Sequence, residues 1–189
     1  LDVVPPIHPV DAPDAAILPY IRATPLLQSR SILVREFLET HVTPELRDAN
    51  GDLMCAIFNA TRTAIEHNSK GKTLVLDVVR SRRAQRLGIE RAFTTFLRCA
   101  RIPARLVEGI DLKKKTQRKR VFWTEVWAAG HWWPVSASDG WVGRLPTSHL
   151  VLARDGARVL ATEGSAQVSY HVETLSLDPK PKTRKGKAR

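Results

Sequence analysis

Apolar residues recur at helical spacing in separate stretches of the first hundred residues and alternate with polar ones through most of the remaining chain. Up to about Arg30 the chain carries Pro5, Pro6, Pro9, Pro13, Pro19 and Pro25, a density that excludes a long regular element and predicts extended chain laid over a domain surface. Ser31 is a plausible N-cap for ILVREFLETHV, where Ile32, Leu33, Phe37 and Leu38 form one helical face. Asn50-Gly51 breaks the pattern, and Asp52 opens a longer helix, DLMCAIFNATRTAIEH, with Leu53, Ile57, Phe58, Thr61, Ala64 and Ile65 on its buried side. After Asn68 to Gly71, the segment TLVLDVV reads equally as a strand or as the lead-in to a helix. From about Arg83 to Arg101, Leu87, Ile89, Ala92, Phe93, Phe96, Leu97 and Ala100 give the broad apolar surface of a central helix, closed by Pro103.

Beyond Pro103 the period becomes two. ARLVEGIDL, VFWTEVWAA and HWWPVSA predict an antiparallel meander with Gly130 in the second turn, and WVGRLPTSHLVLARDG, ARVLATEG and AQVSYHVETLSL predict further strands around Asp155-Gly156 and Gly164. Helices first and antiparallel strands second make an α+β fold, with N-terminal helices packed on a C-terminal antiparallel β-sheet. The expected organisation is an extended segment over 1–30, one domain over 31–177 and a disordered basic tail over 178–189.

Composition narrows the function classes. At 189 residues and 43% hydrophobic, the chain can fill one core without staples. No run approaches the roughly 20 apolar residues of a membrane span, and LDVVPPIHPV lacks the layout of a signal peptide, so a soluble chain is expected. Cys55 and Cys99 sit among apolar neighbours with no CxxC or clustered Cys/His spacing, which favours buried thiols over a disulfide or metal site; no cofactor is expected. The net charge of +11 points toward an anionic partner, but the last ten residues, KPKTRKGKAR, carry six of those charges, leaving +5 for the rest. A second basic block, Lys113, Lys114, Lys115, Arg118, Lys119 and Arg120, falls in a predicted hairpin, and no aromatic residue is interleaved with either block as base stacking would require. Nucleic acid is therefore not the expected partner.

Two stretches carry a family likeness. VVRSRRAQRLGIERAFTTFLRCARIPARLVEG, followed by FWTEVWAAGHWWPVSAS, resembles the core of the transglutaminase-like superfamily, where a helix opening with a catalytic Cys ends in a GIPAR turn, one strand reads H-x-W-x-E-V and the next G-x-W-x-P-x-D. The likeness runs over about residues 24 to 137 and implies a papain-like core. That chemistry uses a thiolate at a helix N-terminus, an imidazole on a facing strand and an acid to orient it. Counting back sixteen residues without a gap from Ile102 puts the nucleophile position at Arg86; the His position falls on Val121 and the Asp position on Ser136. The resemblance thus implies that all three catalytic groups are lost. Cys99, near the C-terminal end of its helix, His131 and Asp139 are poor substitutes for them. The basic hairpin and the rhythm of HWWPVSASDGWVGRLPTSHLVLARDGARVLATEGSAQVSYHV further resemble the inactive transglutaminase domain fused to seven transmembrane helices in Gram-negative bacteria, which extends the likeness to about residue 172. That likeness implies a periplasmic location, as a soluble domain of an inner-membrane protein with a seven-transmembrane region in the same full-length chain. The polybasic tail pulls the other way, since Lys and Arg favour the cytoplasmic side.

Arg82, Arg83, Arg86, Trp123 and Glu125 are the candidate cleft residues. Arg86 either grips a carboxylate or phosphate or plugs a dead cleft by pairing with an acid such as Glu125. Five tryptophans between Trp123 and Trp141 suggest either cross-strand packing or a ligand surface. The leading expectation is a non-catalytic binding domain for a peptide, a protein or an anionic envelope ligand. One alternative is an active cysteine peptidase or amidase with a displaced triad; another is nucleic-acid binding through the basic tail.

Overall fold

The computed structural model describes residues 4–10, 13–50, 52–113 and 118–159. Its helices are α1 (Ile32–His41), α2 (Pro44–Asn50), α3 (Leu53–Ala64), α4 (Val75–Ser81) and α5 (Arg86–Cys99). β1 (Glu66–Lys72) pairs in parallel with the short β2 (Arg83–Ala84). A six-stranded antiparallel sheet runs β6-β5-β4-β3-β7-β8, built from β3 (Ala104–Asp111), β4 (Lys119–Ala128), β5 (His131–Ser136), β6 (Trp141–Val142), β7 (His149–Arg154) and β8 (Ala157–Arg158). Helices on one side of an antiparallel sheet are the α+β plan expected from the sequence.

α5 is the axis of the molecule. Gly88 to Glu90 and Ala92 to Arg98 are all buried, packed between α1, α3, α4 and the sheet. Phe96 stacks on Phe37 of α1 with centroids 4.3 Å apart, and Val126 and Val135 close the core from the sheet side. The helix ends as a Schellman motif: Ile102 N–H donates to the Leu97 carbonyl at 2.9 Å and Arg101 N–H to Arg98 at 3.1 Å. Arg101 takes φ +60 there, a left-handed conformation that costs a non-glycine residue roughly 1–2 kcal/mol. Gly88 has a different reason to be glycine. A Cβ at that position would run into the Lys72 carbonyl oxygen of β1, so only a bare α-carbon lets α5 lie this close.

Local signals account for several boundaries, although Ser31, before α1, makes no side-chain cap hydrogen bond. Asp52 caps α3 by accepting from Cys55 N–H at 2.6 Å. Ala129-Gly130 and Asp155-Gly156 have positive φ at both positions, the geometry of two-residue hairpin turns. Two readings change. The long helix from Asp52 stops at Ala64, and Glu66 to Lys72 is a mostly exposed strand, held by its parallel pairing with β2, which follows it across α4. TLVLDVV resolves as the helix α4, because Val75, Val78 and Val79 pack as one helical face. α2 carries no clear apolar period, so its sequence does not announce it. The segment AQVSYHVETLSL, the basic tail, Lys114 and Lys115 lie outside the described residues.

The proline-rich start contains a 3-10 turn at Leu18–Ile21 and is tied into the domain. Ile7 and Leu27 are buried, Val10 N–H donates to the Arg101 carbonyl at 3.1 Å, and Arg98 donates to the Arg22 carbonyl at 3.1 Å. Among the described residues, no helix is long and apolar enough to cross a membrane.

Candidate functional site

The N-terminus of α5 opens onto a groove of about 260 Å³ whose walls include Arg86 and Leu87 of α5, His67 of β1, Arg120 and Val121 of β4, and Asp139. Arg86 and Val121, drawn from sequence positions far apart, therefore face one space. The Arg86 guanidinium forms an ion pair with Asp139 across the groove. The partner is thus Asp139 in the turn after β5, and not Glu125, which is engaged elsewhere. Arg120 is similarly paired with Glu108 of the neighbouring strand. Both groove arginines already hold a carboxylate.

Ser136 lies beneath the groove rather than in its wall. Its Oγ donates to Glu90 Oε1 at 2.8 Å, and Ser138 N–H donates to the same oxygen at 2.8 Å. Glu90 follows Arg86 by one helical turn and is wholly enclosed. Its other oxygen lies 3.1 Å from Thr124 Oγ1, which is 2.9 Å from Thr94 Oγ1. Thr94 spends its proton on the Glu90 backbone carbonyl at 2.8 Å. Thr124 has one hydroxyl proton for two acceptors, so every contact is a hydrogen bond only when Glu90 Oε2 carries a proton itself. Burial pushes this carboxyl up to about 7, against the opposing pull of its Ser138, Ser136 and Thr124 contacts. Hydrogen-bond counting and desolvation agree on a carboxylic acid that is largely protonated below neutrality.

The other candidates are dispersed. Arg82 stacks on Phe37, 4.4 Å from the ring centroid, and Arg83 pairs with Glu66 at 3.1 Å. Trp123 is fully buried on the side of β4 away from α5, where Gly109 makes room for its indole, and is not in the groove wall. Glu125 is held by Arg105 at 2.6 Å and Arg154 at 3.1 Å, tying three strands together. In the hairpin, Arg118, Lys119 and Arg120 are exposed. Trp132 leans edge-on against Tyr20 and Trp127, with the Arg105 guanidinium 4.0 Å over its ring.

Neither thiol reaches the groove. Cys55 is on α3, pushed up to about 11 by burial and then by Asp52. Cys99 is at the opposite end of α5, where burial raises its pKa more than Arg35 lowers it. The groove imidazole, His67, thus has no sulfur partner among the described lining residues. No group of three or more possible metal ligands occurs among the described residues. Sequence reasoning missed Glu90, His67 and the Arg86–Asp139 pair. Glu90 did leave a signal, as an acid one helical turn from both Leu87 and Phe93, inside the broad apolar surface of the central helix.

No curated protein sequence matches the chain. Among solved structures, a candidate cysteine protease from Cytophaga hutchinsonii superposes with a TM-score of 0.55 at 18% identity, over 79% of this chain and 50% of that one. The periplasmic domain of TgpA from Pseudomonas aeruginosa, solved with ethylmercury, gives 0.45 at 19% identity, over 65% and 48%. The chain spans about half the length of each of these two solved chains. The sequence profile of the transglutaminase-like superfamily matches residues 39–137, from the end of α1 to the end of β5. With its helix-on-sheet core and more than half of its length inside that match, the chain belongs to the transglutaminase-like superfamily.

Proposed function

We propose that this domain binds a partner without catalysing, its inherited cleft having been closed to nucleophilic chemistry. The observation that carries this reading is the occupant of the α5 N-terminus. Where the family chemistry calls for a thiolate favoured by the helix dipole stands the Arg86 guanidinium, paired with Asp139. Val121 offers no proton acceptor, and Ser136 Oγ is spent on Glu90. The same pairing favours a plugged groove over one that grips an anion, since Arg86 and Arg120 are already neutralised. A peptide or protein lying along the groove is the partner this surface suits best. The periplasmic setting beside a seven-transmembrane region belongs to the same proposal and rests on sequence resemblance.

The test is a paired assay of amide hydrolysis and amine transfer on peptide substrates, with a thiol-reactive probe on the folded chain. No turnover is expected, and Cys55 and Cys99 should label no faster than free cysteine. Turnover abolished by Cys99→Ser or Cys55→Ser would overturn the reading in favour of a displaced-triad peptidase.

A further inference from the structure

A second cavity lies at the other end of α5. It is open to solvent, with about 480 Å³ between the 3-10 turn, the loop after it, α1 and the end of α5, and the exposed Arg22, Arg30 and Arg35, together with Arg98 and Arg101, contribute to its wall, with the Cys99 thiol. No carboxylate is among its described lining residues. Arg98 is buried and committed: it donates to the Ala104 carbonyl at 2.8 Å, to the Arg22 carbonyl at 3.1 Å and to Asp155 at 2.5 Å. Arg101 donates to the Val10 carbonyl at 3.2 Å. Arg22, Arg30 and Arg35 form no ion pair with any described residue, in contrast to Arg86 and Arg120 in the groove wall. Glu39, one turn along α1 from Arg35, lies near Cys99 but outside the wall.

We propose that this cavity is a binding site for a multivalent phosphoanion, taken by Arg22, Arg30 and Arg35 over a floor positioned by Arg98. Three guanidinium forks with no carboxylate partner among the described residues arrive from the chain after the 3-10 turn, the chain preceding α1 and α1 itself. A tetrahedral phosphate presents oxygens to several such forks at once, whereas a carboxylate is satisfied by one bidentate partner. The carbonyl end of α5 counts against an anion, but it amounts to about half a negative charge beside several full positive ones. The space exceeds a single phosphate group several-fold, and Leu18, Ile21 and Pro13 give it an apolar side that suits an organic moiety attached to the phosphates. The site is separate from the groove, and its existence does not depend on whether the groove is catalytic.

Inorganic pyrophosphate and tripolyphosphate, titrated calorimetrically into the whole chain, test it for a free ligand; co-sedimentation with phosphatidylcholine vesicles containing cardiolipin, whose headgroup carries two phosphates, tests it for a lipid headgroup. Saturable binding is expected in at least one arm, weakened tenfold or more in the variant Arg30→Ser/Arg35→Ser and changed less than twofold in Arg86→Ser. The ligand bound should slow alkylation of Cys99 and leave Cys55 unaffected. Circular dichroism melting of each variant separates lost binding from lost folding. Binding in neither arm overturns the proposal. So does equal binding by a folded Arg30→Ser/Arg35→Ser variant, which would assign the affinity to the lysine-rich tail.

Discussion

Glu90 shows how an enclosing environment fixes the chemistry of one side chain. Its pKa rises from 4.5 to about 7 in the folded chain, with burial as the main cause. The folded state therefore holds the proton more tightly than the unfolded one. The stability from this group is fully present below about 4.5 and is lost as pH rises to about 7, a change on the order of 3 kcal/mol. Glu90→Gln copies the protonated acid, accepting from Ser136 and Ser138 while its amide donates to Thr124. The substitution is expected to stabilise the chain increasingly above about pH 5. Denaturant melts across that range check this; a stability difference that is flat with pH would mean Glu90 is not a buried acid. Arg86 belongs to the opposite case. Its ion pair is solvent-exposed, with the arginine side chain 56% accessible, so Arg86→Ala should cost under about 1 kcal/mol. A loss of several kcal/mol in the same melts would show that the pair supports the fold rather than merely occupying the groove.

Between α5 and β1, two principles with opposite signs meet at Gly88. Helix propensity alone makes Gly88→Ala stabilising by about 1 kcal/mol. The Lys72 carbonyl stands where the new methyl would go, and backbone cannot swing away as a side-chain tip can. The clash is expected to win, lowering stability by about 1–3 kcal/mol, measured as a reduced denaturation midpoint at constant slope. A stabilised variant would mean that β1 is free to move off α5. This contact also explains why β1 is hard to read from sequence. EHNSKGK has neither alternation nor β-branched content, and it is a strand because its backbone finds Arg83 and Ala84 beside it. α4 is ambiguous for the converse reason: seven apolar-rich residues satisfy either period until a neighbour chooses a face.

Taken whole, the molecule joins its proline-rich start to its core more firmly than a surface wrapping requires. Ile7 and Leu27 are 1% and 4% exposed, and the Arg22 carbonyl satisfies the buried Arg98. Burying two such side chains contributes about 1.5–3 kcal/mol each, and an acceptor lost to a buried guanidinium costs about 1–3 kcal/mol more. Deleting residues 1–30 should remove about 5 kcal/mol, comparable to the entire stability of many domains. The deletion is expected to lower Tm by ten degrees or more, or to abolish cooperative melting; an unchanged Tm would show the segment to be dispensable.

Helices before strands, the central helix, the meander and the turns at Gly130 and Asp155-Gly156 are legible along the chain, because periodicity and turn-forming glycines are local properties, whereas α2, β1 and β2 are not. The family likeness was legible too, since it rests on short motifs such as IPAR and WTEV. Which groups meet was not. That Arg86 finds Asp139 rather than Glu125, that Ser136 turns to Glu90, and that arginines from three segments share one cavity depend on contacts between residues far apart along the chain. Spacing along a polypeptide constrains neighbours within a helix or strand; long-range neighbours are set by how the layers pack, and there the charges choose their partners.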